Sequence, residues 1–260
     1  MQHAPVTPSG AQIRWIELPA HTARDRDRPP RVYLHGLGAS SGPYFAATAV
    51  HPALAGPRSL LLDLLGHGIS DRPQDFDYSL ESHADAVAAA LTAAGVADAE
   101  VIGHSLGGAV AIALTHRHPG LVSRLVLADA VLDPIQPCRP GPGSSGIASY
   151  SEQEFLDGGW REVREAVGPH WWSTMRLADR TALHRSAVHR TRGTLPKPLR
   201  ALLLELPLPR TFLHPAAETV IGADQLTAAG VNLVPIPDAG HNLMLDAPDA
   251  FAAAVAASLS

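Results

Sequence analysis

Short, wholly apolar runs alternate along this chain with segments whose apolar residues recur every three or four positions. Arg31-Val-Tyr-Leu-His-Gly36 reads as a strand stopped by glycine, and Ser59-Leu-Leu-Leu-Asp63 reads as a second. Glu100-Val-Ile-Gly-His-Ser105 and Ser123-Arg-Leu-Val-Leu-Ala-Asp129 follow, and later Thr211–His214 and Val231–Ile236. Runs without polar alternation fit a sheet covered on both faces. Between them lie helical patterns. Ser82, with Asp85 three residues on, predicts a cap for a helix that places Ala84, Val87, Leu91 and Ala94 on one face and ends at Gly95. Leu106–His118 predicts the next helix, stopped by Pro119-Gly120, and Pro248–Leu259 a closing one with Phe251 and Val255 on its inner face. Strand–helix alternation of this kind predicts a mostly parallel, doubly wound α/β sheet, with Gln12–Leu18 as an antiparallel edge strand.

The segment between Asp133 and Leu206 breaks the rhythm. It is punctuated first by Pro134, Pro137, Pro140, Gly141, Pro142, Gly143 and Gly146, a composition expected of a mobile loop, and then enriched in Trp, Arg and His. Residues 1–133 and 206–260 therefore form the expected core, and 134–205 an insert.

Composition narrows the class. The chain has 260 residues, 46% apolar and 17% charged, enough for a full core and too apolar for disorder. A net charge of −5 argues against nucleic acid as a partner. The longest uncharged apolar run, Ala86–Ala97, falls short of a membrane span. Met1–Gly10 lacks the basic-then-apolar pattern of a signal segment. The single cysteine, Cys138, excludes an internal disulfide. A soluble, cytoplasmic protein is the expectation. No metal is required: His184 and His189 are one step off H-x-x-x-H spacing, with no third ligand evident.

The chemistry concentrates at Gly103-His-Ser-Leu-Gly107-Gly108, a G-x-S-x-G pattern between a predicted strand and a predicted helix. Its serine must sit on a tight, strained turn that lifts the hydroxyl beyond the sheet, where side chains at Gly103 and Gly107 would strike backbone. A serine hydroxyl needs a base, and the base an orienting acid. Among 14 histidines, His241 is the best placed, following a strand and preceding the last helix within Asp238-Ala-Gly-His-Asn. Active groups in open α/β sheets gather at that carboxyl edge.

Taken in order, His35-Gly-Leu-Gly38, Asp63-Leu-Leu-Gly-His-Gly-Ile-Ser-Asp71, the serine elbow and Gly240-His241 resemble the α/β-hydrolase superfamily, over almost the whole chain outside the insert. The resemblance implies an α/β-hydrolase fold with a mainly helical cap inserted between strands six and seven. It implies Ser105 as nucleophile, His241 as general base and acid, and an oxyanion hole from the backbone amides of Leu37 and Leu106, such donors contributing ~3–4 kcal/mol each. The orienting acid departs from the common pattern. Leu213-His-Pro-Ala-Ala-Glu218 carries Pro215 where glycine is usual and Glu218 where aspartate is expected. Glu218 is the first choice, with Asp129 and Asp224 as alternatives. Asp63 is expected to brace the Gly66-His-Gly68 loop.

His35, His104, Trp160, Trp171 and Trp172 are candidate pocket residues. Five arginines between Arg176 and Arg192 suit an anionic or carrier-linked acyl substrate, or simply a solvated cap face. The reading is a serine hydrolase of the esterase or thioesterase class, with no cofactor, acting on a small-molecule acyl substrate. Carbon–carbon bond hydrolases, lyases and transacylases use the same residues, and a non-catalytic ligand receptor uses the same scaffold.

Overall fold

A computed structural model describes the chain except residues 135, 142, 143, 193 and 194 and the side chains of 191 and 192. Pro142 and Gly143 of the proline- and glycine-rich loop thus lie outside the described residues.

Eight strands form one sheet: β1 (Gln2–Pro5), β2 (Gln12–Leu18), β3 (Arg31–Leu34), β4 (Ser59–Asp63), β5 (Ala99–His104), β6 (Val122–Ala128), β7 (Arg210–Pro215) and β8 (Val231–Ile236). Their order is β1-β2-β4-β3-β5-β6-β7-β8, parallel from β4 onward. β2 is antiparallel as expected but is not the edge, because β1 pairs outside it. The Gln-His-Ala-Pro run of β1 has no strand periodicity, and only Ala4 is buried. It is a strand because β2 offers it an unpaired edge.

The apolar runs are explained by the two faces. Val32, Leu34, Leu60, Leu62, Val101, Leu125 and Leu127 belong to one core cluster, while Tyr33, Leu61, Ile102, Val126 and Leu213 belong to the other. Alternate residues of one strand thus enter opposite cores.

Helices α1 (Ala23–Arg26), α2 (Ser41–Val50), α3 (Leu80–Ala93) and α4 (Leu106–Arg117) fill the first six strands' connections. α3 begins earlier than expected: Ser79 caps it by accepting from the Ser82 amide, so that Leu80 and His83 are buried. Asp85 instead pairs with Arg117 and His118. Between β6 and β7 lie α5 (Glu152–Glu154), a π-turn at Phe155–Gly159, α6 (Trp160–Met175), α7 (Arg180–Arg192) and α8 (Leu199–Glu205). Then come α9 (Ala223–Ala228), α10 (Leu243–Asp246) and α11 (Pro248–Ser258), the last burying Phe251 and Val255. Among the described residues, no helix is long and apolar enough to cross a membrane.

Candidate active site

β5 ends at His104 and α4 begins at Leu106, leaving Ser105 alone to make the turn. Its φ of 51° is a conformation non-glycine residues rarely adopt. The strain is held from both sides. The Ser105 amide donates to the Ala128 carbonyl at 3.0 Å, and its carbonyl accepts from Gly108 and Ala109 in the first turn of α4. The glycines are there for backbone approach: a Cβ on Gly107 would lie 2.3 Å from the Leu34 carbonyl oxygen, and one on Gly103 would lie 2.7 Å from that of Gly107.

Parallel register then selects the neighbour. His104 is level with Ala128, so the residue after β6, Asp129, stands beside the residue after β5, Ser105. Asp129 is itself left-handed, φ 43°, and its amide donates to the Leu213 carbonyl. From this position its Oδ2 accepts a 2.6 Å hydrogen bond from His241 Nδ1. That bond leaves His241 Nε2 as the unprotonated ring nitrogen of the neutral imidazole. Ser105, Asp129 and His241 all line one cavity of about 590 Å³, with Gly36, Leu37 and Trp171.

Glu218, the first choice for the acid, is not part of this group. It is exposed on the turn after β7, its amide donating to Pro215, and it lines a separate cavity of about 190 Å³ with His214 and Arg200. Asp224 lies in the first turn of α9, away from the cavity that Ser105 lines. β7 continues through Pro215, in register with Ile236, and Glu218 follows on the turn beyond it, outside the lining of the cavity that holds His241.

Leu37 lines the cavity, and Leu106 is the first residue of α4, where a helix leaves amides unmatched. Neither amide donates to any group among the described residues. Trp171 in α6 donates its indole N–H to the Leu37 carbonyl at 3.0 Å, tying α6 to that loop. Of the three candidate tryptophans, only this one lines the cavity. Trp160 and Trp172 stack on each other, and with Arg180 they line a separate pocket of about 150 Å³.

The two histidines expected in the pocket divide. His104 lines it and donates from Nε2 to the His241 carbonyl at 2.9 Å; burial keeps its imidazole well below the ordinary pKa, hence neutral. It positions the backbone of the catalytic candidate. His35 is fully buried beneath the loop, donating from Nδ1 to the Gly36 carbonyl and accepting at Nε2 from the Leu64 amide. Asp63 accepts from the Ser41 and Ile69 amides and the Ser40 hydroxyl, bracing the neighbouring turn.

Burial pushes His35 down to about 4, and His67 and His83 down to about 3. The unfolded chain protonates these groups near ~6.5 and the native chain does not. Their contribution to stability is therefore complete above ~6.5 and lost as pH falls towards 4 and 3. Asp63, raised by its own burial, works in the opposite direction and offsets part of this. The urea midpoint is expected to fall steadily from pH 6.5 to pH 4. A midpoint that stays level across that range would contradict the neutral state of the buried histidines.

A family model described as the alpha/beta hydrolase fold matches residues 29–229. A 2-hydroxymuconate semialdehyde hydrolase of a Pseudomonas species is 32% identical over 161 residues, covering 62% of this chain and 50% of that protein. The chain spans about half the length, or less, of the first curated relatives it matches. Among solved structures, an esterase from Exiguobacterium antarcticum superposes with a TM-score of 0.77 at 18% identity, covering 100% of this chain and 99% of that one. An enol-lactonase from Burkholderia xenovorans gives 0.75 at 21% identity, with 99% of both chains covered. At these identities the structural likenesses speak for the fold.

Proposed function

We propose that this chain, which belongs to the alpha/beta hydrolase fold family, is a serine hydrolase that cleaves a small carboxylic ester or thioester through an acyl-enzyme. The observation that carries the reading is the His241–Asp129 hydrogen bond within the cavity that Ser105 also lines. Ser105 Oγ attacks the carbonyl carbon while His241 Nε2 takes its proton. Asp129 fixes the imidazole tautomer and stabilises the imidazolium. The Leu37 and Leu106 amides receive the oxyanion. His241 then returns the proton to the leaving group, and water enters by the same route in reverse. The helices between β6 and β7 act as a cap that limits access of water. The absence of any disulfide, with Cys138 the only cysteine, supports a cytoplasmic setting.

Carbon–carbon cleavage of a carbonyl substrate by the same residues is the second reading, favoured by the match to a semialdehyde hydrolase.

The test is covalent. A fluorophosphonate is expected to label the protein stoichiometrically, and Ser105→Ala to abolish labelling and to lower turnover of 4-nitrophenyl esters by about 10⁴-fold or more. The acyl length giving the best turnover then sizes the cavity. Labelling without ester turnover moves the assignment to carbon–carbon cleavage. Failure of both supports a ligand receptor instead.

A further inference from the structure

Among the described residues, the cavity that holds Ser105 is lined by one arginine, Arg190 of α7. Its Nε is closed off from solvent and has no hydrogen-bond partner. No ion pair to it occurs among the described residues. The two carboxylates that share the cavity are both engaged: Asp129 by His241, and Asp133 by Arg200, which approaches to 2.6 Å. Other arginines between β6 and β7 are occupied. Arg185 pairs with Glu152 at 2.9 Å, Arg180 lies 3.9 Å from the Trp160 ring centroid, Arg164 reaches Glu165, and Arg176 donates to the Ser173 carbonyl.

Arg190 is half-buried, and leaving its Nε closed off and unpaired is costly, because the hydration lost at that nitrogen is not replaced. Burial lowers the pKa of Arg190 below the ordinary guanidinium value, yet such a group keeps its proton at neutral pH. The charge is therefore present with no carboxylate paired to it among the described residues, beside the thiol of Cys138 and the hydroxyls of Ser144 and Ser145, which line the same cavity. The planar guanidinium fork matches carboxylate and phosphate alike. The two aspartates around the cavity select against a dianion, leaving a monoanionic carboxylate as the better fit.

We propose that Arg190 anchors a carboxylate on the substrate, so that the enzyme acts on acyl compounds bearing a carboxylate remote from the carbonyl that Ser105 attacks. This rests on the hydrolase reading above. The carboxylate sits on either the acyl or the leaving-group side, and two substrate pairs distinguish them. The 4-nitrophenyl monoester of glutaric acid is compared with 4-nitrophenyl pentanoate, and 3-carboxy-4-nitrophenyl butyrate with 4-nitrophenyl butyrate. The unmodified enzyme is expected to favour the charged member of one pair at least about tenfold in kcat/KM. Arg190→Met is expected to lower kcat/KM for that member by about 30- to 100-fold while changing its neutral partner less than about threefold. Arg190→Lys should restore part of the loss.

No charge preference in either pair, or equal loss on both members in Arg190→Met, overturns the proposal. Titration of Ser105→Ala with the monoethyl ester of glutaric acid, and of 3-carboxy-4-nitrophenyl butyrate, decides the anchor without catalysis. Binding of either that weakens at least about tenfold when Arg190→Met is added supports it. Unchanged or absent binding of both overturns it. Failure of fluorophosphonate labelling in the unmodified enzyme would strike the hydrolase reading alone.

Discussion

Asp129→Asn is expected to lower kcat by about 10⁴-fold, while Glu218→Gln stays within about threefold of the unmodified enzyme. The difference follows from where the two carboxylates stand. Asp129 Oδ2 accepts from His241 Nδ1 at 2.6 Å, which holds the proton on that nitrogen and frees Nε2 for the serine. An asparagine has nearly the same shape, but its amide can donate to Nδ1. The imidazole then carries its proton on Nε2, where it can no longer serve as base. The imidazolium formed during attack also loses its counter-charge. Glu218 is exposed and lines another cavity, so replacing its charge changes little near Ser105. Steady-state kinetics on a 4-nitrophenyl ester, with thermal unfolding to confirm that both variants fold, make the comparison. A loss in Glu218→Gln comparable with that in Asp129→Asn would sink the assignment of Asp129.

Gly107→Ala is expected to cost about 3 kcal/mol or more of stability, which lowers the melting temperature by roughly 6–12 °C in a chain of this size. Added at this position, a methyl carbon would meet the Leu34 carbonyl oxygen at 2.3 Å and that of His35 at 2.5 Å. Both are backbone atoms at the end of a central strand, and no side chain can rotate away to make room. Relief must come from moving α4 off β3, which also carries Ser105 away from Asp129. Residual folded protein should therefore lose activity as well. Gly141→Ala, whose added methyl would meet nothing within 4 Å, is the control and is expected to be near neutral. Matching melting temperatures for the two variants would contradict the close approach at the elbow.

What the chain determines locally is extensive. Continuous apolar runs mark strands buried on both faces, and all six expected parallel strands are found, because burial on two sides leaves no room for polar alternation. The serine elbow is equally local: strand, strained serine and close glycines lie within six residues, Gly103 to Gly108. β1 is illegible because Gln2–Pro5 becomes a strand only by pairing with β2. That Glu218, the first choice for the acid, lines a different cavity from His241 is illegible for a related reason. A carboxylate's proximity to His241 depends on the register of β5 against β6 and on the path leaving β7, both set by contacts far apart in sequence. The segment between β6 and β7 shows the same division. Tryptophan composition draws attention to Trp160, Trp171 and Trp172 together, but only packing chooses Trp171 to hold the Leu37 loop while the other two stack elsewhere. Likewise the sequence displays a row of arginines there, and only the fold, by engaging its neighbours, sets Arg190 against the cavity. Periodicity and short motifs record which face of an element is buried. Which side chains meet is decided by closure of the whole molecule, where each contact joins residues up to a hundred or more positions apart.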